Sequence, residues 1–479
     1  MDQLKQFHFV TVGAPLSLVR DLWDRIAVRG KFRVSHIVHP SHDRSALAGG
    51  SIEAARLHFL RENTRDPLPH PDRELLASLE CEGVPTIHNM IMSDRFVSGV
   101  PYDEALGYAT ALVQRLVALY DKIKPSVIIG GFDALHGSLA FAVAKRMGIP
   151  WFALYFGTRP SGQAAFCADL SPASLVAFDS RSRDELQTWA ENLLAQFEQR
   201  TAPVAYHVPP QLLSASFMLK RIPAQLRSLR QVLKRHRLRH YLKFTDPWTA
   251  YSITGLFREA IRLRMNFWEL QRQRLRDRPS EGRFAFFGLH MQPESSIDVF
   301  AHFFSNQTRV IELMSRSLPP THKLLVKLHK SDALNYPTRR LEELAAFPAI
   351  ELVSPDANSR EFIERAELVF AIQGTIGLEA ALLGKPVIMF GDSPAKVFPS
   401  VATIGKTIDL PRLVRAKLHE QKPHRSQIVA ALAHYLAPFH AASGNDWSIS
   451  PTDEQIDGYV RLFELLQKHL SKTADRVSS

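Results

Sequence analysis

The chain has few cysteines, no long apolar run and too few acidic residues to balance its basic ones. Cys81 and Cys167 are the only cysteines among 479 residues, and their spacing predicts neither a disulfide framework nor a structural zinc site. No stretch approaches the roughly 20 apolar residues of a membrane span. The N-terminal sequence MDQLKQFHFVTVG lacks the basic and apolar regions of a secretion signal. These absences predict a cytoplasmic location.

Two common nucleotide-binding motifs are also missing. The sequence contains no GxxxxGK[ST] loop, and its first glycine turn, TVGAPLS, does not follow GxGxxG. ATP hydrolysis and standard NAD binding are therefore disfavoured, and no cofactor is expected. No Asp-x-Asp pair stands at an evident strand end, so no metal site is predicted either.

The excess of positive charge predicts an anionic partner. The chain carries 59 Lys and Arg against 48 Asp and Glu, a formal net charge of +11. Leu219 to Phe244 alone contains nine of these cations and no acidic residue. We consider an anionic inner-membrane surface as its partner, with a solvated helix face as the alternative. Nucleic acid is disfavoured, because no recognised binding module accompanies the charge.

The order of strand and helix patterns predicts two α/β domains. Strand-like runs such as FHFVTVG and PSVIIGG alternate with helical segments up to about residue 200, and the alternation resumes at RFAFFGLH. We expect an N-terminal Rossmann-like domain in residues 1–200 and a C-terminal one in 281–452, facing each other across a cleft. A basic, mostly helical connector would occupy 201–280, and a C-terminal helix with a frayed tail 453–479.

Polar residues follow four strands of the second domain, where a parallel sheet gathers them at one edge. The stretch FAIQGTIGLEAALLGKPVIMFGD reads as strand, glycine turn, helix and strand, with the helix N-terminus at this edge. The candidate ligand-binding residues are Gln292, Lys327, His329, Ser354, Asn358, Gln373, Gly374, Thr375, Gly377 and Glu379, with Glu294 beside them.

A phosphate group fits this set of residue types. The Lys-x-His-Lys sequence at 327–330 and the helix start at Gly374 and Thr375 would supply cations and N–H donors, while Glu379 could accept from a ribose hydroxyl. Each residue also has a structural interpretation: a glycine shapes a turn, a histidine packs in a core, and Asn358 or Ser359 caps a helix.

The first domain has glycine-rich loops after two of its strands. IGGFDALHG contributes Asp133 and His136, and YFGTRPSG contributes Arg159. In a two-domain cleft these residues would lie on the acceptor side. A turn with a capping Asp explains Asp133 equally well.

The motifs LHMQPESS, VKLHK and SPDANSREFIERAELVFAIQGTIGLEAALLGKPVIMFGD resemble the C-terminal half of the bacterial capsule polysaccharide biosynthesis proteins, which are GT-B glycosyltransferases that include Kdo-transferring enzymes. The resemblance covers residues 283–395. It implies that His329 contacts the donor phosphate, that Gly374 and Thr375 cap it, that Glu379 holds the ribose and that Glu294 lies near the reacting sugar. Lys330 stands where this family usually has proline.

These observations predict a metal-independent glycosyltransferase. It would move a sugar from a nucleotide-sugar donor to a bacterial surface polysaccharide or its lipid-linked precursor, and the resemblance favours CMP-Kdo over UDP- or GDP-sugars. Glu294, Asp133 and His136 are, in that order, candidates for the base. The alternative is a non-catalytic nucleotide-sugar or glycan-binding protein associated with capsule assembly or export.

Overall fold

Two mainly parallel β-sheets organise the protein. The computed structural model describes residues 7–14, 18–39, 53–62, 66–132, 134–157, 159–178, 181–201, 253–334, 343–442 and 451–478. The basic segment 219–244 lies outside these ranges. In the part of the chain that is described, no helix is both long and apolar enough to cross a membrane.

The first sheet has seven strands. They are β1 (His8–Val12), β2 (Arg33–Val38), β3 (Leu57–Phe59), β4 (Val127–Gly130), β5 (Trp151–Gly157), β6 (Gln163–Cys167) and β13 (His440–Ala441). Their spatial order is β3-β2-β1-β4-β5-β6-β13. The first five are parallel, whereas β6 and β13 are antiparallel additions at one edge.

Helices cover this sheet on both faces. They are α1 (Asp24–Gly30), which a π-helical turn at Val19–Trp23 precedes, α2 (Arg73–Ala77), α3 (Ile87–Ser93), α4 (Tyr102–Ile123) and α5 (Leu135–Arg146). The strands are apolar along most of their length because both faces are buried, as in other parallel sheets. The predicted strands and helices of this half are present; the short β3 and the antiparallel β6 and β13 are additional.

The second sheet has six parallel strands in the order β9-β8-β7-β10-β11-β12. This is the Rossmann order, in which the chain reverses its winding direction between β7 and β10. The strands are β7 (Phe284–Gly288), β8 (Lys323–Lys327), β9 (Ile350–Val353), β10 (Leu368–Ala371), β11 (Val387–Met389) and β12 (Val401–Thr403). The predicted pair of Rossmann-like domains is therefore confirmed.

The remaining helices follow β6 in the chain. They are α6 (Arg183–Glu198), α7 (Ile253–Arg272), α8 (Ser295–Asp298), α9 (Gln307–Ser317), α10 (Ser359–Arg365), α11 (Thr375–Leu382), α12 (Leu410–Leu418), α13 (Arg425–Leu436) and α14 (Asp453–Ser478). Of these, α14 extends to Ser478 and so includes residues that the sequence predicts to be frayed.

Within the described residues, the chain crosses between the two domains twice. Helix α6 leaves the first sheet and packs on α13 of the second domain. Helix α14 returns and packs on α1, where Phe463 contacts the rings of Phe9 and Phe166. Ion pairs of Arg25 with Asp453 and Arg29 with Asp457 hold its first turns. Both ends of the described chain therefore belong to the first domain.

The carboxyl-end loops of the two sheets contact each other. After β4, the ring of Phe132 meets that of Phe300 edge to face, with centroids 4.9 Å apart. A second contact comes from another part of the first domain, where Ser171, after the antiparallel β6, donates from Oγ to Asp392 Oδ2 at 3.2 Å. The predicted ligand-binding edge of the second sheet thus faces the first domain.

Candidate functional site

A glycine turn opens helix α11 at the edge of the second sheet. Gly374 is the N-cap and has φ of +87°, a conformation that residues with a side chain adopt only under strain. Among the described residues no side chain caps this helix. Its first N–H groups and the positive end of its dipole therefore remain available to an anion.

His290 lies against this turn from the neighbouring strand. It follows β7, and its Nε2 contacts the backbone carbonyl oxygen of Gln373, to which it can donate. A Cβ added to Gly374 would lie 3.2 Å from Nε2. Burial lowers the pKa of His290 to about 4, so the ring is neutral at pH 7. Its Nδ1 is buried and finds no partner in the described part of the chain. The sequence motifs placed His290 near the site but gave it no role.

Polar side chains hold the loop that carries Gln292 and Glu294. Asp298 accepts from Gln292 Nε2 at 2.8 Å and from the Glu294 backbone N–H at 3.0 Å. Gln307 donates to Gln292 Oε1 at 2.9 Å and also bonds both backbone groups of His290. The loop is therefore fixed in position, and Glu294 forms the N-cap of α8.

Lys327 and His329 lie at the end of β8. Lys327 is almost fully buried, its Nζ donates to the Pro355 carbonyl at 3.0 Å, and burial lowers its pKa to about 8. Burial first, and then the positive charges of His290 and Lys327, lower the pKa of His329 to about 4. His329 Nδ1 accepts from the Ser331 N–H at 3.3 Å, which leaves the proton of the neutral ring on Nε2 as a donor.

The next two predicted residues have structural contacts. Asn358 is the N-cap of α10 and accepts from the Arg360 N–H at 3.1 Å, as the capping interpretation predicts. Ser354 is buried, and its Oγ accepts from the Asp356 N–H at 3.3 Å. Lys330, which replaces the proline of the similar family, lies 3.8 Å from Asp356 Oδ1. This loop is well held, and its role toward a ligand stays a prediction.

Glu379 contacts the first domain. Its Oε1 accepts from Arg159 Nε at 3.1 Å and from Nη2 at 3.0 Å, and both side chains are less than one-fifth exposed. The guanidinium also lies 5.2 Å from the ring centroid of Phe197. One predicted donor residue and one predicted acceptor residue are thus already paired across the interface.

Two other predicted residues near this turn, Gly377 and Gln373, have contacts within the second domain. A Cβ at Gly377 would lie 3.1 Å from Met389 Cε and 3.2 Å from Ala371 Cβ, so glycine permits close packing of α11. The Gln373 side chain donates to the Asp392 carbonyl.

Of the two candidate bases of the first domain, His136 lies among the described residues. Asp133 lies outside the described residues. His136 is buried in the first turn of α5, where its ring stacks on that of His39 at 5.0 Å and fills the space beside Gly13. Within the described ranges, no group of three or more His, Cys, Asp or Glu could hold a metal ion.

A model of the capsule polysaccharide biosynthesis protein family matches residues 185–436, more than half of the chain. The chain belongs to this family. The match begins in α6 and ends in α13, so it contains the second sheet and the helix that crosses to it, while β1–β6 precede it. The predicted resemblance is confirmed at the level of the family.

Comparison with solved structures gives distant likenesses. A β-Kdo 2,4 transferase KpsC of Thermosulfurimonas dismutans is 12% identical over 64% of this chain and 79% of its own, with a TM-score of 0.36. A β-Kdo 2,7 transferase KpsC of that organism is 12% identical over 95% of this chain and 99% of its own, and its TM-score is also 0.36. S. aureus MnaA, solved with UDP, is 12% identical over 90% of this chain and 94% of its own, with a TM-score of 0.28. No curated protein sequence matches the chain.

Proposed function

We propose that this family member is a glycosyltransferase of capsule assembly. The second domain would hold a nucleotide-sugar donor, and the first would bind the glycan or its lipid-linked precursor. A CMP-linked sugar acid such as CMP-Kdo is the favoured donor, and the reaction would take place at the cytoplasmic face of the membrane.

The uncapped start of α11 carries this proposal. It lies at the reversal point of a Rossmann sheet, where α/β folds bind ligands. His290 lies against it, and Lys327 and His329 lie at the end of the strand beside the one that His290 follows. N–H groups, a cation and a neutral histidine donor are suited to a phosphate. Among the described residues, no side-chain hydrogen bond to the helix end has to break to admit one.

The chemistry would depend on charge that appears as the donor bond breaks. The sugar's bond to the phosphate oxygen is cleaved, and negative charge grows on that oxygen, where His329 Nε2 and the helix N–H groups can stabilise it. The acceptor hydroxyl forms the new glycosidic bond and gives its proton to a base. Glu294, in a loop fixed by Asp298 and Gln307, is the first candidate. Since cations and N–H donors can neutralise the phosphate, we expect transfer to continue in EDTA.

A panel of CMP-, UDP- and GDP-sugars tests both the activity and the donor. Turnover with one nucleotide class is the expected result. Tight nucleotide binding without hydrolysis or transfer, with capsule precursor present, would favour a non-catalytic binding protein instead.

Two variants test the assigned roles. His329→Ala should lower kcat by about 30- to 1000-fold, the range of about 2–4 kcal/mol for a lost oxyanion donor, with a smaller effect on donor affinity. Glu294→Gln should lower kcat and leave nucleotide affinity nearly unchanged. If both variants lose thermal stability and affinity in parallel, the two residues only support the loops.

A further inference from the structure

Helix α7 has two apolar faces, and only one of them packs on the second domain. On the packed face Leu263, Asn266 and Leu270 are buried, and Asn266 Nδ2 donates to the Leu334 carbonyl at 2.7 Å. On the opposite face Ile261 is 60% exposed and Trp268 64% exposed. The helix is therefore anchored by one side and presents the other outward.

The outward face forms a continuous stripe. Ile261, Met265 and Trp268 are spaced by four and three residues, which places them one above another on a helix. Met265 is also 60% exposed. The other large apolar side chains exposed in the described chain are spread over separate elements, so this stripe, which we call the Trp268 face, is the main apolar cluster open to solvent on any helix described.

Arginine surrounds the Trp268 face. Arg262 and Arg264 flank it on either side, while Arg258 and Arg272 continue it toward the helix ends, and all four are exposed. Glu269 lies on the same half of the helix, and it accepts a hydrogen bond from Gln273 Nε2. Among the side chains described on this helix, the rim is therefore strongly cationic.

We propose that the Trp268 face docks the protein on an anionic lipid surface. A tryptophan with aliphatic neighbours and a basic border is typical of helices that lie in the headgroup region, where the indole enters the interface and the guanidinium groups meet lipid phosphates. The proposal does not depend on the transfer reaction, because no residue of the Trp268 face is among those assigned to the donor site.

Sedimentation of the full chain with vesicles tests the proposal. Binding to phosphatidylcholine vesicles that contain phosphatidylglycerol should exceed binding to pure phosphatidylcholine and fall as salt is raised. Ile261→Ser with Trp268→Ser should reduce the partition coefficient about tenfold or more, and Arg262→Gln with Arg264→Gln should remove most of the dependence on anionic lipid.

Another surface of the protein supplies a matched control. Ile408 is 82% exposed and lies near the exposed Arg412. Ile408→Ser with Arg412→Gln removes one exposed apolar and one exposed basic side chain from outside the Trp268 face, and it should leave vesicle binding unchanged. Brominated lipid should quench the fluorescence of the wild type more than that of Trp268→Phe.

Three results would overturn the proposal. Unchanged vesicle binding in both α7 variants would assign any lipid binding to another part of the chain, such as residues 219–244. Equal binding to neutral and anionic vesicles would remove the role of the arginines. Concentration-dependent dimers in sedimentation velocity that disappear in the Ile261→Ser and Trp268→Ser variant, without vesicle binding, would show that a second copy covers the face.

Discussion

In each domain a helix follows the fourth strand of the sheet. The start of the first domain's helix is capped by a carboxylate, whereas the start of the second domain's helix, as described, is not. Helix α5 follows the fourth strand of the first sheet, and its Leu135 N–H donates to Asp94 Oδ2 at 2.8 Å. The other oxygen of Asp94 accepts from the N–H groups of Phe96 and Val97 at 2.9 Å. Helix α11 follows the fourth strand of the second sheet, counted from β7, and lacks a side-chain cap within the described structure.

A histidine and a positive-φ glycine meet beside each helix start, but with their positions exchanged. In the first domain the glycine, Gly13, follows the first strand, and His136 begins the helix after the fourth. In the second domain His290 follows the first strand, and Gly374 begins the helix after the fourth.

The difference indicates which sheet edge can accept an outside anion. A buried carboxylate already neutralises the α5 dipole and satisfies an N–H group, so a phosphate there would meet a negative charge. In the part of the chain that the structure describes, the corresponding position at α11 has no such carboxylate. The comparison supports placing the donor on the second domain and an uncharged acceptor hydroxyl on the first.

The largest effect is expected at Gly374. Gly374→Val places a branched side chain at φ of +87° with its Cβ 3.2 Å from His290, so donor binding should fall below detection by calorimetry. Gly148→Val is the matched control, because Gly148 has φ of +67° and no atom near its added Cβ. It should lose comparable stability and keep its nucleotide affinity. Unchanged affinity in a folded Gly374→Val protein would place the anion site elsewhere.

Asp94→Asn should be the next largest change and should act on stability. The amide can replace only part of the three N–H contacts, and we expect the free energy of unfolding to fall by about 2–3 kcal/mol in urea titrations. Asp72→Asn, at the exposed N-cap of α2, should cost less than about 1 kcal/mol. Equal losses in the two variants would mean that Asp94 is an ordinary cap.

Thr375→Asp would give α11 the internal anion that α5 has. The carboxylate should stabilise the helix by a few tenths of a kcal/mol and weaken donor affinity about tenfold by repelling the phosphate. Thr375→Ser keeps a hydroxyl without charge and serves as the control in the same calorimetric titration. An affinity that is equal in Asp and Ser variants would contradict a phosphate at this helix end.

The smallest predicted effect is a change in nucleotide affinity when Arg159 is replaced. If Glu379 accepts from a ribose hydroxyl, Arg159 competes for it, and Arg159→Gln should raise nucleotide affinity about threefold. If the pair only holds the domains together, affinity should stay the same or fall. Titration of the nucleoside monophosphate, with and without Glu379→Gln, distinguishes the two cases.

The sequence predicts the strands and helices well, and also the sheet edge at which the polar loops gather, because both depend on local patterns. Apolar runs such as FAFF become strands buried on both faces, and the glycine at 374 marks the helix start that the structure shows. The capping role of Asn358 was also predictable, because its carboxamide acts within three residues.

Contacts between distant parts of the chain could not be predicted in this way. Asp94 caps a helix that begins 41 positions later, and Arg159 pairs with a residue 220 positions away. The apolar stripe of α14 shows that the helix needs a surface, but either domain could have supplied it. Such choices depend on packing in three dimensions, for which a single sequence carries no local signal.

The two crossings between the domains restrict how they can move. Both pass through one place, because Arg181, just before α6, donates to the carbonyl of Phe439, just before β13. We expect two chain segments tied at a common point to act as a hinge, about which the two domains would mainly rotate. When the domains rotate, the distance by which their facing surfaces separate would grow with distance from that point. Gly157 lies against Phe439 and only two positions before Arg159, so we expect the Arg159 pair to move less than the contact between the Phe132 and Phe300 rings.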